Sequence, residues 1–466
     1  LFQAMEEIGL LPKFKHEETR EFIKQQLLPI YSKQQKTESQ IFHWLASSPK
    51  RTYLRVNTFS TDTSSLMTKL KKVIPTGASA EVDKDLDDVI VIHDNNKLSE
   101  AEDFIGNTAF DENLAKVVVN STCAASVLRG APVYAPGIIG APASLSKDEK
   151  VLVFADLQLH SKVLKGALKF DHQNKEDFLL IGQGIALLSR SDLFKDNVQC
   201  GVGIHMTKTI VIGSPVRIND NLLQPLSNLY FLQNLPSILT VHQLELKPDD
   251  KCLDLCAAPG GKTCHIASML KSSSPVLAFD KSQSKIQQIL QNAQRLGVAD
   301  NVVAKIQDST KVSDLQTESF DKILLDAPCS ALGQRPMLVQ CAKVKELKSF
   351  AKLQKKLFAK AVSLLKPGGI LVYSTCTITL GENEELVKWA LSHFTCLELC
   401  PTSPKIGHSG DENILNDPEM RSKVQRFGPD QDFTIGFFIA KFICGQQPAS
   451  KCFSCLLQWF VILCMQ

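Results

Sequence analysis

Short apolar runs separated by amphipathic stretches dominate the second half of this chain. Lys251-Cys-Leu-Asp-Leu255, Pro275-Val-Leu-Ala-Phe-Asp280, Asn301-Val-Val-Ala-Lys-Ile-Gln-Asp308, Lys322-Ile-Leu-Leu-Asp326 and Gly369-Ile-Leu-Val-Tyr373 set aliphatic and β-branched residues side by side. That is the pattern of strands buried on both faces of a parallel sheet. Helical stretches alternate with them. In 344–365, Lys345, Lys348, Lys352, Lys355 and Lys356 recur at near-helical spacing, with Leu347, Phe350, Leu357 and Phe358 on the other side. The lysine face is either a solubilising surface or a track for a phosphate backbone. Lys366-Pro-Gly-Gly369 stops this helix. The alternation predicts a doubly wound α/β domain over 206–443.

Upstream the pattern changes. In 112–205 the apolar runs are short and glycine recurs at 130, 137, 140, 166, 182 and 184. This predicts a small β barrel with strands at 151–155 and 178–181 and a helix at 115–120. Residues 1–111 are mixed, with amphipathic helices at 18–26 and 39–45, a strand at 52–58 and an acidic surface loop around one strand at 83–102. The stretch 444–466 is atypical. Its apolar part, 453–464, is too short to cross a bilayer, and Cys452-x-x-Cys455 has no second half for a zinc site. With leucine at position 1, the chain is read as lacking its true start.

Composition narrows the class. A chain of 466 residues with 44% hydrophobic residues suits two or three folded domains. A net charge of +3 permits a nucleic-acid partner without demanding one. The 14 cysteines are irregularly spaced in a long chain with no secretory leader, which points to reduced thiols.

Two cysteines stand out. Cys329, in Asp326-Ala-Pro-Cys-Ser330, and Cys376, in Ser374-Thr-Cys-Thr377, each follow an apolar strand. One helix joins these strands, so a right-handed crossover makes them neighbours and brings both thiols to the carboxyl edge of one sheet. For Cys123, Cys200, Cys252, Cys264 and Cys341 simple burial is expected. Upstream, Cys256-Ala-Ala-Pro-Gly260-Gly261-Lys262-Thr263 lies between a strand and a helix, a cradle for a nucleotide-like ligand. It is not a P-loop, which needs glycine where Cys256 stands, and it contains no Gly-x-Gly-x-x-Gly. Asp280, ending the next strand, is placed for ribose hydroxyls, and Asp308 for an adenine amino group. Ribose and adenine contacts without a pyrophosphate grip point to S-adenosylmethionine.

These motifs closely resemble the Sun-domain RNA (cytosine-5) methyltransferases. The resemblance spans about 225–443 and includes Tyr230-Phe-Leu-Gln-Asn-Leu-Pro-Ser237, Gln425-Arg-Phe427 and Gly436-Phe-Phe-Ile-Ala-Lys-Phe442. Val127-Leu-Arg-Gly-Ala-Pro-Val-Tyr-Ala-Pro-Gly137 and Ile181-Gly-Gln-Gly-Ile185 resemble a PUA domain, which indicates the sixth, PUA-containing branch. An Arg-Val-Asn like that at 55–57 opens a small α/β subdomain in the family. The resemblance implies a class I, Rossmann-like methyltransferase domain with an inserted PUA barrel and a small N-terminal α/β region. It implies S-adenosylmethionine held by Cys256, Ala257, Ala258, Pro259, Gly260, Gly261, Lys262, Asp280, Asp308 and Asp326. It makes Cys376 the nucleophile on cytosine carbon 6 and gives Cys329 the breakdown of the adduct. Asp326 would hold the cytosine edge, and Lys262 would orient the base or favour a thiolate. Arg129, Tyr134, Lys162 and Lys165 become candidate RNA contacts, against the alternatives that the basic residues only face solvent and that Tyr134 fills the barrel. The implied substrate is tRNA near its 3′ acceptor end, and the implied protein is a cytoplasmic monomer with no metal and no membrane partner. A catalytically inactive RNA-binding protein is the alternative, opposed by intact Cys329, Cys376, Asp326 and Gly260-Gly261. One departure is Ala331, where the family often has glycine; it predicts a less free loop.

Overall fold

The computed structural model describes residues 11–445, apart from 32–35, 75–76, 95–109, 160–162, 172, 175, 199, 210–223, 272–273 and 314. The candidate Lys162 and residues 446–466 of the tail therefore lie outside the described residues. Among those described, no helix is long and apolar enough to cross a membrane.

The five apolar runs all form strands. Val302–Ile306, Val276–Asp280, Cys252–Asp254, Phe320–Asp326 and Leu365–Thr375 pair in parallel in that spatial order. Phe437–Cys444 follows antiparallel, with Leu397–Cys400 and Gln425–Phe427 paired along its far side. Strand order reverses between Cys252–Asp254 and Phe320–Asp326, where doubly wound sheets open a ligand crevice. Helices cover both faces, so the strands are apolar on both. Leu235–His242, Gly261–Leu270 and Gln283–Arg295 bury Ile238, Ile266 and Ile289 against one face. Val344–Leu364 and Glu384–His393 bury Phe358 and Leu386 with Tyr373 and Phe442 on the other. The Lys366-Pro-Gly-Gly369 segment follows the end of Val344–Leu364, with Gly368 at a φ of 76°.

The N-terminal 111 residues do not form one unit. Thr52–Val56, Val89–Asp94 and Ala78–Val82 join Tyr230–Leu232 in a four-stranded antiparallel sheet. Tyr230–Leu232, read as part of the catalytic domain, thus pairs with the N-terminal region. Helices Glu17–Tyr31 and Glu38–Ala46 leave that sheet and pack on Leu332, Met337, Leu347 and Ile378. The second helix starts at a Thr37–Gln40 capping box, which places its boundary one step before the apolar periodicity begins.

Between Val89–Asp94 and Tyr230–Leu232 the chain makes a separate six-stranded sheet around Val119, Val153, Ile181 and Ile204. The expected helix at 115–120 is instead the strand Ala115–Asn120, parallel to Lys150–Asp156. Its run of three valines loses χ1 freedom in a helix and suits a pleated, buried surface. Asn120 then caps the following helix, Ser121–Leu128. The last strand, Val202–Thr209, carries this unit past the boundary read at 205.

A buried arginine joins all three parts. Arg335, 1% exposed, donates to Trp44 O, Ser47 Oγ and Thr434 O, with its guanidinium 4.2 Å from the Trp44 ring centroid. Its own carbonyl accepts from Arg129 of the six-stranded unit at 3.2 Å.

Candidate active site

Asp326 and Ser374 sit in register on neighbouring strands. The segments beyond them run out side by side, and the sulfurs of Cys329 and Cys376 lie 3.4 Å apart. The pair is electrostatically unequal. The hydrogen bond shared with Cys329 holds the Cys376 thiol below its usual range, against the opposing effect of burial. That same bond, then burial and the charges on Cys376 and Glu382, push the Cys329 thiol well up. Cys376 is therefore the more readily ionised of the two.

Asp326 closes one side. Its Oδ1 accepts from Ser374 Oγ at 2.6 Å, and its Oδ2 pairs with Lys262 Nζ at 2.6 Å. Lys262 lies in the first turn of Gly261–Leu270, so the helix start carries this cation to the sheet edge. Gly260 precedes it at a φ of 101°, where a Cβ would meet the Ile289 backbone at 3.0 Å. Only glycine fits there without strain.

The loop between strand and helix is held by its own backbone. Ala257 N donates to Phe279 O at 2.9 Å, Gly260 N to Ala257 O at 2.7 Å, and Ala258 N to Asp280 Oδ2 at 3.3 Å. Pro259 O accepts from Asn292 at 2.9 Å. Cys256 N donates to Asp254 Oδ1, and burial pushes the Cys256 thiol well up, away from reactivity. Asp280 is 8% exposed at the end of its strand, and Lys285 lies 3.4 Å away. Asp308 accepts from Thr310 and faces Lys281 at 3.4 Å. Small side chains, backbone amides and a mostly buried carboxylate at two adjoining strand ends fit a ribose and an adenine.

Sequence reading missed several supports. Asp254 lies buried beneath the loop, accepts from Thr263 Oγ1 at 2.8 Å, and is pushed by burial up to about 7. Buried Arg55 donates to Gly261 O at 2.6 Å and is brought by burial down to about 10. Its only sequence signal was the Arg-Val-Asn of the N-terminal strand. Asp88, His242 and His265 are spaced as metal ligands could be. Each imidazole Nε2, however, meets a different oxygen of the one carboxylate at 2.9 Å. Burial keeps His265 down at about 3, so it is neutral and the trio is a hydrogen-bonded clamp between the N-terminal sheet and two helices. Glu382, 2% exposed, accepts from both cysteine loops; in sequence its Glu-Asn-Glu-Glu run reads as a solvated turn.

The candidate RNA contacts belong to the six-stranded unit. Tyr134 is 49% exposed, so it does not fill the core of that unit. Lys165 is exposed and donates to Asn197 at 3.1 Å. Arg129 spends donors inside the protein, on Arg335 O and Ser126 Oγ. Of the cysteines expected to be buried, Cys252 and Cys264 are, Cys123 and Cys341 are partly so, and Cys200 is exposed.

Residues 241–443 match the family model described as 16S rRNA methyltransferase RsmB/F. The chain is 38% identical over 483 residues to the human tRNA (cytosine(72)-C(5))-methyltransferase NSUN6, covering 94% of this chain and 98% of that protein. It is 36% identical over 336 residues to the tRNA (cytosine(72)-C(5))-methyltransferase of Pyrococcus horikoshii, covering 71% of this chain and 76% of that one. The crystal structure of NSun6 from Pyrococcus horikoshii with SFG superposes with a TM-score of 0.69 at 31% identity, covering 93% of this chain and 99% of that chain.

Proposed function

This chain belongs to the Sun-domain family of RNA (cytosine-C(5))-methyltransferases that includes NSUN6, and from that premise we propose that it methylates carbon 5 of a cytosine in tRNA, near the 3′ acceptor end. The observation that carries this reading is the pair of contacting thiols beside the Asp326–Lys262 ion pair, at the mouth of a nucleoside-type loop. SFG, held by the Pyrococcus relative, is an analogue of S-adenosylmethionine. The residues that would hold S-adenosylmethionine here are the 256–261 loop, Asp280 and Asp308, and when bound it supplies the methyl group.

Carbon 5 of cytosine is a weak nucleophile. Cys376, the thiol held ready to ionise, adds to carbon 6, and the electron pair of the 5,6 double bond becomes available at carbon 5. Asp326 takes the cytosine edge, held in place by Ser374 and Lys262, as charge moves into the ring. Once carbon 5 carries the methyl group, its proton must leave. A base beside carbon 5 takes that proton, the electron pair reforms the double bond, and the sulfur–carbon bond breaks to return the thiolate to Cys376. We place Cys329 in this release step. The target base must leave its stack to enter the site.

We further assign the six-stranded unit as a PUA-type RNA-binding domain. Its position and the exposure of Tyr134 and Lys165 support that reading. A cytoplasmic location is supported by the described cysteines, which form no disulfide and so suit a reducing compartment.

The test is a pair of variants that differ in kind. Cys376→Ala is expected to abolish methylation of tRNA and to form no covalent complex. Cys329→Ala is expected to accumulate a protein–RNA adduct stable on denaturing gels. A trapped band from Cys376→Ala would reverse the two roles.

A further inference from the structure

Glu382 is a buried carboxylate on which both thiol-bearing loops converge. Ser330, next to Cys329, donates to it from its backbone N at 3.0 Å and from its Oγ at 2.5 Å. Thr379, beyond Cys376, donates at 2.8 Å. Gln354, fully buried on Val344–Leu364, donates at 2.8 Å and also reaches Pro328 O, on the other side of Cys329, at 2.9 Å. Ser330 Oγ and Thr377 Oγ1 lie 2.6 Å apart, which ties the loops directly. The hub is fixed from beneath, because Tyr373, buried in the strand that leads to Cys376, donates its hydroxyl to Glu382 O at 2.7 Å.

Two consequences follow from this placement. Ser330 and Thr379 bond the carboxylate directly, and Pro328 and Thr377 are tied to it through Gln354 and Ser330, so the carboxylate fixes how the sulfurs face each other. It also places a negative charge on the Cys329 side of the pair, where a second negative charge is disfavoured. On the other side Gln334 and Lys262 favour a thiolate at Cys376, against burial and the charge of Asp326. Resting on the methyl-transfer reading above, we infer that Glu382 is a positioning residue: it holds the two thiols in contact and determines which of them carries the negative charge and attacks.

The experiment is alkylation of the full chain by iodoacetamide without RNA or cofactor, with each cysteine followed by mass spectrometry. Cys376 should react faster than Cys329 in the wild type. Glu382→Gln keeps the size of the side chain and removes its charge, and should reduce that preference by about tenfold, the effect of one pKa unit. Glu382→Asp keeps the charge and should keep the preference. In turnover, Glu382→Gln should lower kcat by about tenfold, the same factor as the lost thiolate preference, while KM for tRNA stays within about twofold. An unchanged alkylation ratio or unchanged kcat in a Glu382→Gln protein that melts like wild type would overturn the inference. So would an equal loss of preference in Glu382→Asp. If Glu382→Gln melts early, its alkylation ratio is read below its transition temperature, where a preference equal to that of the wild type overturns the inference. Because the alkylation assay contains no RNA, a wild type that fails to methylate tRNA would count against the function and leave this result standing.

Discussion

Ala331 takes a left-handed backbone conformation, at a φ of 56°, just beyond Cys329. A Cβ makes that conformation unfavourable by about 1–2 kcal/mol, whereas glycine there costs about 0.4–1 kcal/mol through the greater freedom of the unfolded chain. Ala331→Gly is therefore expected to raise stability by about 0.5–1 kcal/mol in urea denaturation; a lower midpoint would mean that the turn carries no strain. The sequence suggested only that alanine would stiffen this loop, because a backbone hand cannot be read from a residue name. Cys329 and Cys376 were legible for a simple reason. Each ends an apolar run, and a crossover rule then brings two such ends together. Glu382 and Gln354 were not legible, since an acid in a polar turn and a glutamine on a lysine-rich helix look like solvent-facing residues until their burial is known.

Among the elements, the strand–loop–helix at 252–270 shows how local signals combine. The apolar strand, the small-residue loop and the Gly260 turn were all readable, and so was the acid closing the next strand. The structure adds that Asp280 braces the loop through Ala258 N. Hydrogen bonds to a charged group are worth about 1.5–3 kcal/mol. Asp280→Ala should accordingly weaken S-adenosylmethionine binding roughly ten- to hundredfold by calorimetry, with tRNA affinity nearly unchanged. Unchanged cofactor affinity would remove Asp280 from the site. The strand at 115–120 was misread because the run is short and periodicity does not separate a buried strand from a buried helix turn. Its neighbours in the sheet, distant in sequence, settle the matter.

At the scale of the whole molecule, contacts between regions were the least visible feature, because they join residues hundreds of positions apart. The Asp88 clamp makes one of them sensitive to acid. His265 has a folded pKa of about 3 against an ordinary 6.5, so the unfolded chain takes up its proton first. Its contribution to stability is complete above about pH 6.5 and is lost as pH falls towards 3, at up to about 1.4 kcal/mol per pH unit. Urea titrations of the wild type between pH 7 and 4 should show this slope, and His265→Gln should flatten it; parallel slopes would refute the assignment. The proposed RNA face makes a separate demand. Lys165→Ala should weaken tRNA binding and reduce its salt dependence by about one unit of slope, and Tyr134→Ala should weaken it without changing that slope. Unchanged affinity in folded variants would remove this face from the interface. Arg335 bears on how such a protein can be taken apart. Its guanidinium is buried on carbonyls and a tryptophan contributed by segments at opposite ends of the chain, and its carbonyl anchors the inserted sheet. Excising the first fifty residues would take Trp44 O, Ser47 Oγ and the Trp44 ring from the cation, and excising the insert would take the Arg129 donor from its carbonyl. The catalytic half is thus not a portable cassette, and a trimmed version is expected to melt below the full chain.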